Sequence, residues 1–325
     1  MLALFIIIGK KFLLYFFIPF IIVSIFLEII LRSCYPMISN YNMEMWRYAR
    51  ELKVPATGND LPFEHAANKR SLLCGVEIKT NSLGLRAEKD YVLPKPAHTK
   101  RILVLGDSIT MGWGVEFKDT YASRLEGLLN KGSSQHFEVI NAGVGNYNSI
   151  CELAALKKFI NLEPDLIILG FYINDLERAP YLCRLSYLAK KYSFLYAFIS
   201  ARVINIKYNF SYQKYYSMLY NDKKLRQDAK DAIAEMVKIS NSKSIPFVLT
   251  NIPELHNFKH YYFKEAQYFV QDIVKDHPEI IFIDFLEILK NRDAKEFWIS
   301  AQDPHPNPNL HSIIAEAVYK RLQAL

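Results

Sequence analysis

Cysteine is scarce: the 325 residues hold Cys34, Cys74, Cys151 and Cys183. They are widely spaced and form no Cys-x-x-Cys pair, which argues against a zinc site and a dense disulfide framework and leaves a single disulfide open. No long Lys/Arg block is present, so the net charge of +7 does not mark a nucleic-acid arm. A mild basic excess fits a membrane surface or an acidic polymer better. There is no internal repeat and no low-complexity tract. Acidic residues are missing altogether from Arg178 to Tyr220, where Arg178, Arg184, Lys190, Lys191, Arg202, Lys207 and Lys214 are interleaved with nine tyrosines. Such side chains have apolar bodies and polar tips, which suits a helical cap with its own small core or a lid at a membrane interface.

What is present begins with apolar length. Phe12 to Leu31 is interrupted only by Tyr15, Pro19, Ser24 and Glu28. About 20 such residues at helical rise span a bilayer core. Lys10 and Lys11 precede the run, Arg32 closes it, and Glu28 is close enough to the end to reach the interface. A cleaved signal peptide would have a shorter apolar region and a small-residue cleavage site. The run therefore predicts an uncleaved single-pass anchor. Lys10 and Lys11 favour a cytoplasmic amino terminus with the rest of the chain exported, while Arg32, Arg47, Arg50 and Lys53 on the other flank weigh the other way.

Residues 1–34 are thus expected to anchor the chain. Residues 35–99, with Pro55, Pro62, Pro94, Pro96 and the turn formers Gly58-Asn59-Asp60, read as a linker and accessory segment. From residue 100 onward strand and helix alternate. Strand candidates are 101–106, 137–141, 165–171, 246–251 and 280–284. Helix candidates are about 120–131, 148–160, 223–241, 260–275 and 309–323. Short Ile/Val/Leu/Phe runs of this kind suit a parallel sheet covered on both faces. The expected fold class is α/β: a flavodoxin-like three-layer sandwich with a five-stranded parallel sheet, preceded by one transmembrane helix and carrying an insertion over 178–221.

The first strand stops at Gly106-Asp107-Ser108, which delivers a serine to the carboxyl edge of the sheet. Taken alone, this serine could simply cap the next helix. Asn141-Ala-Gly-Val-Gly-Asn146 follows the second strand, Gly170-Phe-Tyr-Ile-Asn174-Asp175 follows the third, and Asp303-Pro-His305-Pro-Asn307 precedes the last helix. In this order the four segments resemble the blocks of the SGNH/GDSL family of serine esterases and lipases, over roughly residues 100–325. Asn81-Ser-Leu-Gly-Leu-Arg86 resembles a segment found ahead of the nucleophile in membrane-anchored members and is expected to pack against the core.

The resemblance implies catalytic roles for Ser108 as nucleophile, His305 as base and Asp303 as the acid that orients the histidine. The family more often places its Asp three residues before the His; here the gap is two and Gln302 stands at the usual position, so a Ser-His dyad stays open. The oxyanion hole would use the Ser108 N–H, a second-block N–H from Asn146 or Gly145, and the Asn174 side chain. Asn146 stands where the family commonly has glycine. Asp107 would brace the nucleophile turn, and His311, inside the last helix, is the weaker base. His256-Asn-Phe-Lys-His260 has the spacing of a zinc-binding helix but lacks its glutamate and reads as surface. No metal or organic cofactor is implied. The expected reaction is ester hydrolysis through an acyl-enzyme, on an acylated envelope polysaccharide, a lipid or a small ester, with the membrane and no nucleic acid as partner. Two alternatives stay open: an O-acyltransferase using the same serine, and a non-catalytic binding protein that keeps the fold.

Overall fold

The computed structural model describes residues 11, 13–34, 41–56, 61–178, 192–209 and 212–324, with the side chains of 13, 201 and 204–209 excepted. Lys10, Phe12, Gly58-Asn59-Asp60, Cys183, Arg184, Lys190 and Lys191 lie outside the described residues, as does much of the insertion expected over 178–221. Two compact units are present: Met1–Arg50 with Leu182–Phe210, and Glu51–Tyr181 with Ser211–Leu325.

In the first unit a wide π turn, Leu13–Phe17, leads into helix α1, Ile18–Cys34. Pro19 gives the reason for the wide turn: it has no N–H to donate to the Tyr15 carbonyl, and its ring crowds that carbonyl. The stretch Leu14–Cys34 has 21 residues and mean hydropathy 2.6, with none of its apolar window buried. At about 1.5 Å per residue this is long and apolar enough to cross a bilayer core of about 30 Å. An anchor and a signal sequence share that property.

Glu28 does more than reach toward an interface. Its carboxylate accepts the N–H groups of Phe194 (3.0 Å) and Leu195 (2.8 Å) and the Ser193 hydroxyl (3.0 Å), and it pairs with Arg32 at 2.9 Å. It therefore caps the amino end of the helix Phe194–Asn209, where free N–H groups and the helix dipole favour an anion. Arg32 and Arg50 lie over the Phe194 ring at 5.0 and 4.7 Å. Phe194 also meets Trp46 of α2, Tyr41–Glu51, edge to face at 4.7 Å.

The second unit is built on five parallel strands: β1 Thr99–Gly106, β2 His136–Asn141, β3 Leu166–Phe171, β4 Phe247–Asn251 and β5 Ile281–Asp284. Their order is β2-β1-β3-β4-β5. This is the flavodoxin-like order, with its switch point beside β1, where a ligand crevice forms at the carboxyl edge. Side chains alternate between two apolar layers, as a period of two demands. Leu103, Leu105, Ile140, Ile167, Leu169 and Leu249 face one layer; Ile102, Val104, Val139, Ile168 and Val248 face the other.

The short helix α3, Ser108–Met111, follows β1, and α4, Tyr121–Asn130, precedes β2. Helix α5, Ser149–Phe159, lies between β2 and β3, and α6, Tyr212–Asn221, and α7, Lys223–Ser242, precede β4. Helix α8, Lys264–Asp276, precedes β5, and α9, Pro308–Gln323, closes the fold. Helices α5, α7 and α8 cover the first layer, α4 and α9 the second. Every strand and helix expected from the apolar pattern is present within a few residues of its expected bounds. The largest offset is α8, which starts at Lys264, after Phe263 has packed into the core.

The segment before β1 is more ordered than its mixed composition suggests. Arg70–Leu73 and Val76–Lys79 form a hairpin whose turn residues Cys74 and Gly75 both have positive φ, as a tight primed turn requires. Leu61, Phe63, Leu85, Ala87 and Tyr91 join the first apolar layer. Among the described residues, Cys34 and Cys151 are free thiols.

Candidate active site

β1 hands over to α3 within one residue because Gly106 adopts φ +154°, and a Cβ there would stand 2.1 Å from Thr110 Oγ1. Asp107 then caps α3, accepting the Ile109 N–H at 2.8 Å. Burial is the main cause that lifts the Asp107 pKa, opposed by the Ile109 N–H, the nearby His305 charge and hydrogen bonds from the Asn174 amide and Ser108. Asp107 thus braces the turn as the sequence suggests. Ser108 opens the helix beside it.

Ser108 Oγ lies 3.0 Å from His305 Nε2 and 3.4 Å from Asp107 Oδ2, so the histidine is its nearer partner. On the far side of the ring, His305 Nδ1 lies 2.6 Å from Asp303 Oδ1. That oxygen also accepts the His305 backbone N–H at 3.1 Å, while the Trp113 indole donates to Oδ2 at 2.9 Å. Burial raises the Asp303 pKa, but the hydrogen bond and charge of His305, helped by Trp113, outweigh it and hold the carboxyl below its usual range.

The two-residue gap between Asp303 and His305 has a structural reason. Asp303–Pro306 is a short strand, paired antiparallel with Trp298–Ser300. In an extended chain residues i and i+2 project from the same face, so the two side chains meet. Gln302 is exposed in the preceding turn. Asn307 then caps α9, accepting the Asn309 and Leu310 N–H groups.

The loop after β2 is pressed against α3. Asn141 Nδ2 donates to Thr110 O at 2.8 Å, the Gly143 N–H to Asn141 Oδ1 at 3.0 Å, and the Val144 N–H to Gly106 O at 3.1 Å. A Cβ on Gly143 would stand 2.3 Å from the Met111 nitrogen, so this approach requires glycine. Of the two second-block candidates it is Asn146 that takes the left-handed conformation, at φ +67°. Asparagine tolerates that conformation better than most residues. Asn174 sits on the 3-10 turn Ile173–Leu176 after β3, where its side chain is near enough to Asp107 to favour that carboxylate's charged form. Behind this turn Glu152 and Asp175 are fully buried. Burial first, then the Asp107 charge for Glu152 and the Glu152 and Asp107 charges for Asp175, pushes both carboxyls well up, so they favour the neutral form.

Three other histidines lie outside this line of contacts. His311 accepts the Tyr121 N–H at 3.1 Å, and burial, then the Arg86 and Arg124 charges, lowers it to about 3. That makes it a neutral strut. His256 and His260 lie on turns, not on a helix, and are exposed; His256 pairs with Glu254.

Neither Trp113 nor the chemistry of Arg86 is marked by any motif in the sequence. Arg86 is fully buried and donates to the carbonyls of Met111 (2.8 Å), Gly112 and Val115, tying down the chain that leaves α3. Its signal was the Asn81–Arg86 segment itself. Trp113 left none, because its partner lies 190 residues away.

Residues 104–313, well over half of the chain, match the family model of GDSL-like lipases and acylhydrolases. A comparison with curated proteins found no match. Among solved structures, the chain is similar to the psychrotrophic esterase EstA from Pseudoalteromonas sp., with 15% identity, 69% of this chain and 97% of that one covered, and a TM-score of 0.46. The lipase Lip_vut3 from a goat rumen metagenome gives 16%, 68% and 97%, and 0.48. The acetylxylan esterase Axe2 from Geobacillus stearothermophilus gives 17%, 69% and 94%, and 0.44. The family match spans the turn that carries Ser108, the loop of Asn141–Asn146, the Asn174 turn and the strand of Asp303 and His305, and the chain belongs to the GDSL-like lipase/acylhydrolase family and is an esterase.

Proposed function

We propose that this esterase works through a covalent acyl-enzyme on Ser108, from a membrane-anchored and exported domain. The observation that carries the reading is the continuous line from Ser108 Oγ to His305 Nε2 (3.0 Å) and from His305 Nδ1 to Asp303 Oδ1 (2.6 Å). With Nδ1–H donating to Asp303, Nε2 keeps a lone pair for the serine proton. Ser108 Oγ attacks the ester carbonyl as its proton passes to Nε2, and the carbonyl oxygen becomes an oxyanion. The Ser108 N–H, the Asn146 N–H and the Asn174 amide are its donors. The Asn174 amide has two hydrogens to give, so its proximity to Asp107 still leaves one for the oxyanion. Collapse breaks the bond to the alkoxy oxygen, and His305 returns its proton to the leaving alcohol. Water then attacks the acyl group with His305 again as base, releasing the acid and restoring Ser108.

The apolar Leu14–Cys34 stretch supports the anchor, and Lys11 ahead of it supports export. An anchored esterase is suited to acyl groups on envelope glycans or on lipids. Product partitioning tests the covalent step. In water–methanol mixtures, phenyl, p-nitrophenyl and ethyl acetate should give one common ratio of acetic acid to methyl acetate, because all three pass through the same acetyl-Ser108. A ratio that changes with the leaving group contradicts the acyl-enzyme.

A further inference from the structure

Lys53 belongs to none of the sequence blocks, yet it touches the second of them. It lies on the short strand Lys53–Val54, paired with Glu64–His65, and its side chain is buried. Nζ donates to the Gly145 carbonyl at 2.5 Å and to Asn146 Oδ1 at 3.1 Å, and it lies 4.1 Å from the centre of the Phe63 ring. The Gly145 carbonyl and the Asn146 N–H are the two ends of a single peptide unit. A trans peptide is planar, so these two groups point in opposite directions. A cation fixed on the carbonyl oxygen therefore keeps the N–H facing away from Lys53. It also draws electron density from the nitrogen, which makes the N–H a stronger donor. The second bond pins the side chain of Asn146, the residue held left-handed where the family commonly has glycine.

We propose that Lys53 is a positioning residue that aims and polarises the Asn146 N–H as an oxyanion donor, a role that rests on the acyl-enzyme reading of this site. The arrangement joins the asparagine at the family's glycine position to a buried ammonium that grips it.

Protonation follows from the same surroundings. Burial pushes Lys53 down to about 7, with partial opposition from Cys151. The titratable groups facing it are His65, lowered to about 3 by burial and then by the Lys53 charge, and the Cys151 thiol, raised to about 11 by burial. Neither changes charge near neutrality, so an alkaline fall in kcat there belongs to the ammonium.

The test uses the full chain in detergent with p-nitrophenyl acetate, comparing wild type, Lys53→Met, Lys53→Arg and Ser108→Ala, with thermal melts to establish folding. Lys53→Met should lower kcat by about 10- to 100-fold, less than deleting a donor outright, with KM within about threefold. Lys53→Arg keeps the charge at every pH and should recover most of kcat. Wild type should lose kcat above about pH 7, and Lys53→Arg should abolish that alkaline fall. Folded Lys53→Met with kcat within about twofold of wild type, or Met and Arg variants equally impaired, would overturn the proposal. If Lys53→Met does not fold, the Arg variant decides: an alkaline fall that persists in it refutes the role, and its disappearance supports it. Inactive Ser108→Ala beside unimpaired Lys53→Met sinks this inference alone, whereas active Ser108→Ala sinks the reading beneath it.

Discussion

Ser108→Ala is expected to lower kcat for p-nitrophenyl acetate by about 10⁴- to 10⁶-fold, with His305→Ala causing a loss of similar size. The reason is the 3.0 Å contact between Ser108 Oγ and His305 Nε2. A serine hydroxyl is a weak nucleophile until a base takes its proton, so neither residue achieves much without the other. The double variant should consequently be no slower than either single one. What turnover remains would reflect binding and oxyanion donors acting on water. Multiplying losses in the double variant would show that the two residues act independently, against the 3.0 Å geometry. Thermal unfolding should change little in Ser108→Ala, since the hydroxyl's partners, His305 and Asp107, belong to neither apolar layer.

Asp303→Asn is the second large effect, expected at about 10³- to 10⁴-fold in kcat with the fold retained. Both oxygens of Asp303 accept hydrogen bonds: Oδ1 from His305 Nδ1 and backbone N–H, Oδ2 from Trp113 Nε1. An amide has only one acceptor oxygen. Its NH₂ must face either the indole N–H or the His305 side, and the second placement forces the proton onto Nε2, where it blocks the attack. Rates of wild type and Asp303→Asn across pH, with melting temperatures of both, check this. The pKa of Asp303 is depressed in the folded chain, so its contribution to stability is complete above the ordinary carboxylate range near pH 4 and fades as pH falls through the lower folded value. Asp303→Asn should therefore flatten the acid end of the stability profile. Placing an aspartate at the family's more usual position, Gln302→Asp, should not rescue it. Residue 302 lies in the exposed turn before the strand. Recovery of activity there would contradict the same-face geometry of 303 and 305.

The parts of this protein that could be read from its sequence are those set by local pattern. Runs such as Ile102–Leu105 and Ile167–Leu169 must be covered on both faces, and that requirement alone yields the five parallel strands and their flanking helices. Glycine at 143 reflects a backbone approach that no Cβ would allow, and glycine at 106 a positive φ with the Thr110 hydroxyl where a Cβ would stand. The sequence pattern left the acid partner ambiguous because spacing in sequence has no meaning until the local conformation is known. A gap of two suits a strand, and the strand Asp303–Pro306 exists only because Trp298–Ser300 pairs with it.

Long-range partners were out of reach for a different reason. Trp113 supports Asp303, Arg86 holds the carbonyls after α3, and Lys53 grips the Gly145–Asn146 peptide, each across a distance in the chain that no periodicity records. Glu28 is an instructive case within the apolar run. Its charge looked compatible with an interface, and it is bonded to the first N–H groups of the helix Phe194–Asn209, a segment more than 160 residues later.

The measurement that bears most directly on the central claim is fluorophosphonate labelling of the full chain in detergent, read by intact mass and peptide mapping. An activated serine predicts one adduct per chain, on Ser108, formed quickly in wild type and lost in His305→Ala. A folded wild-type chain that takes no adduct, or takes it on another serine, would contradict the assignment of Ser108 as nucleophile.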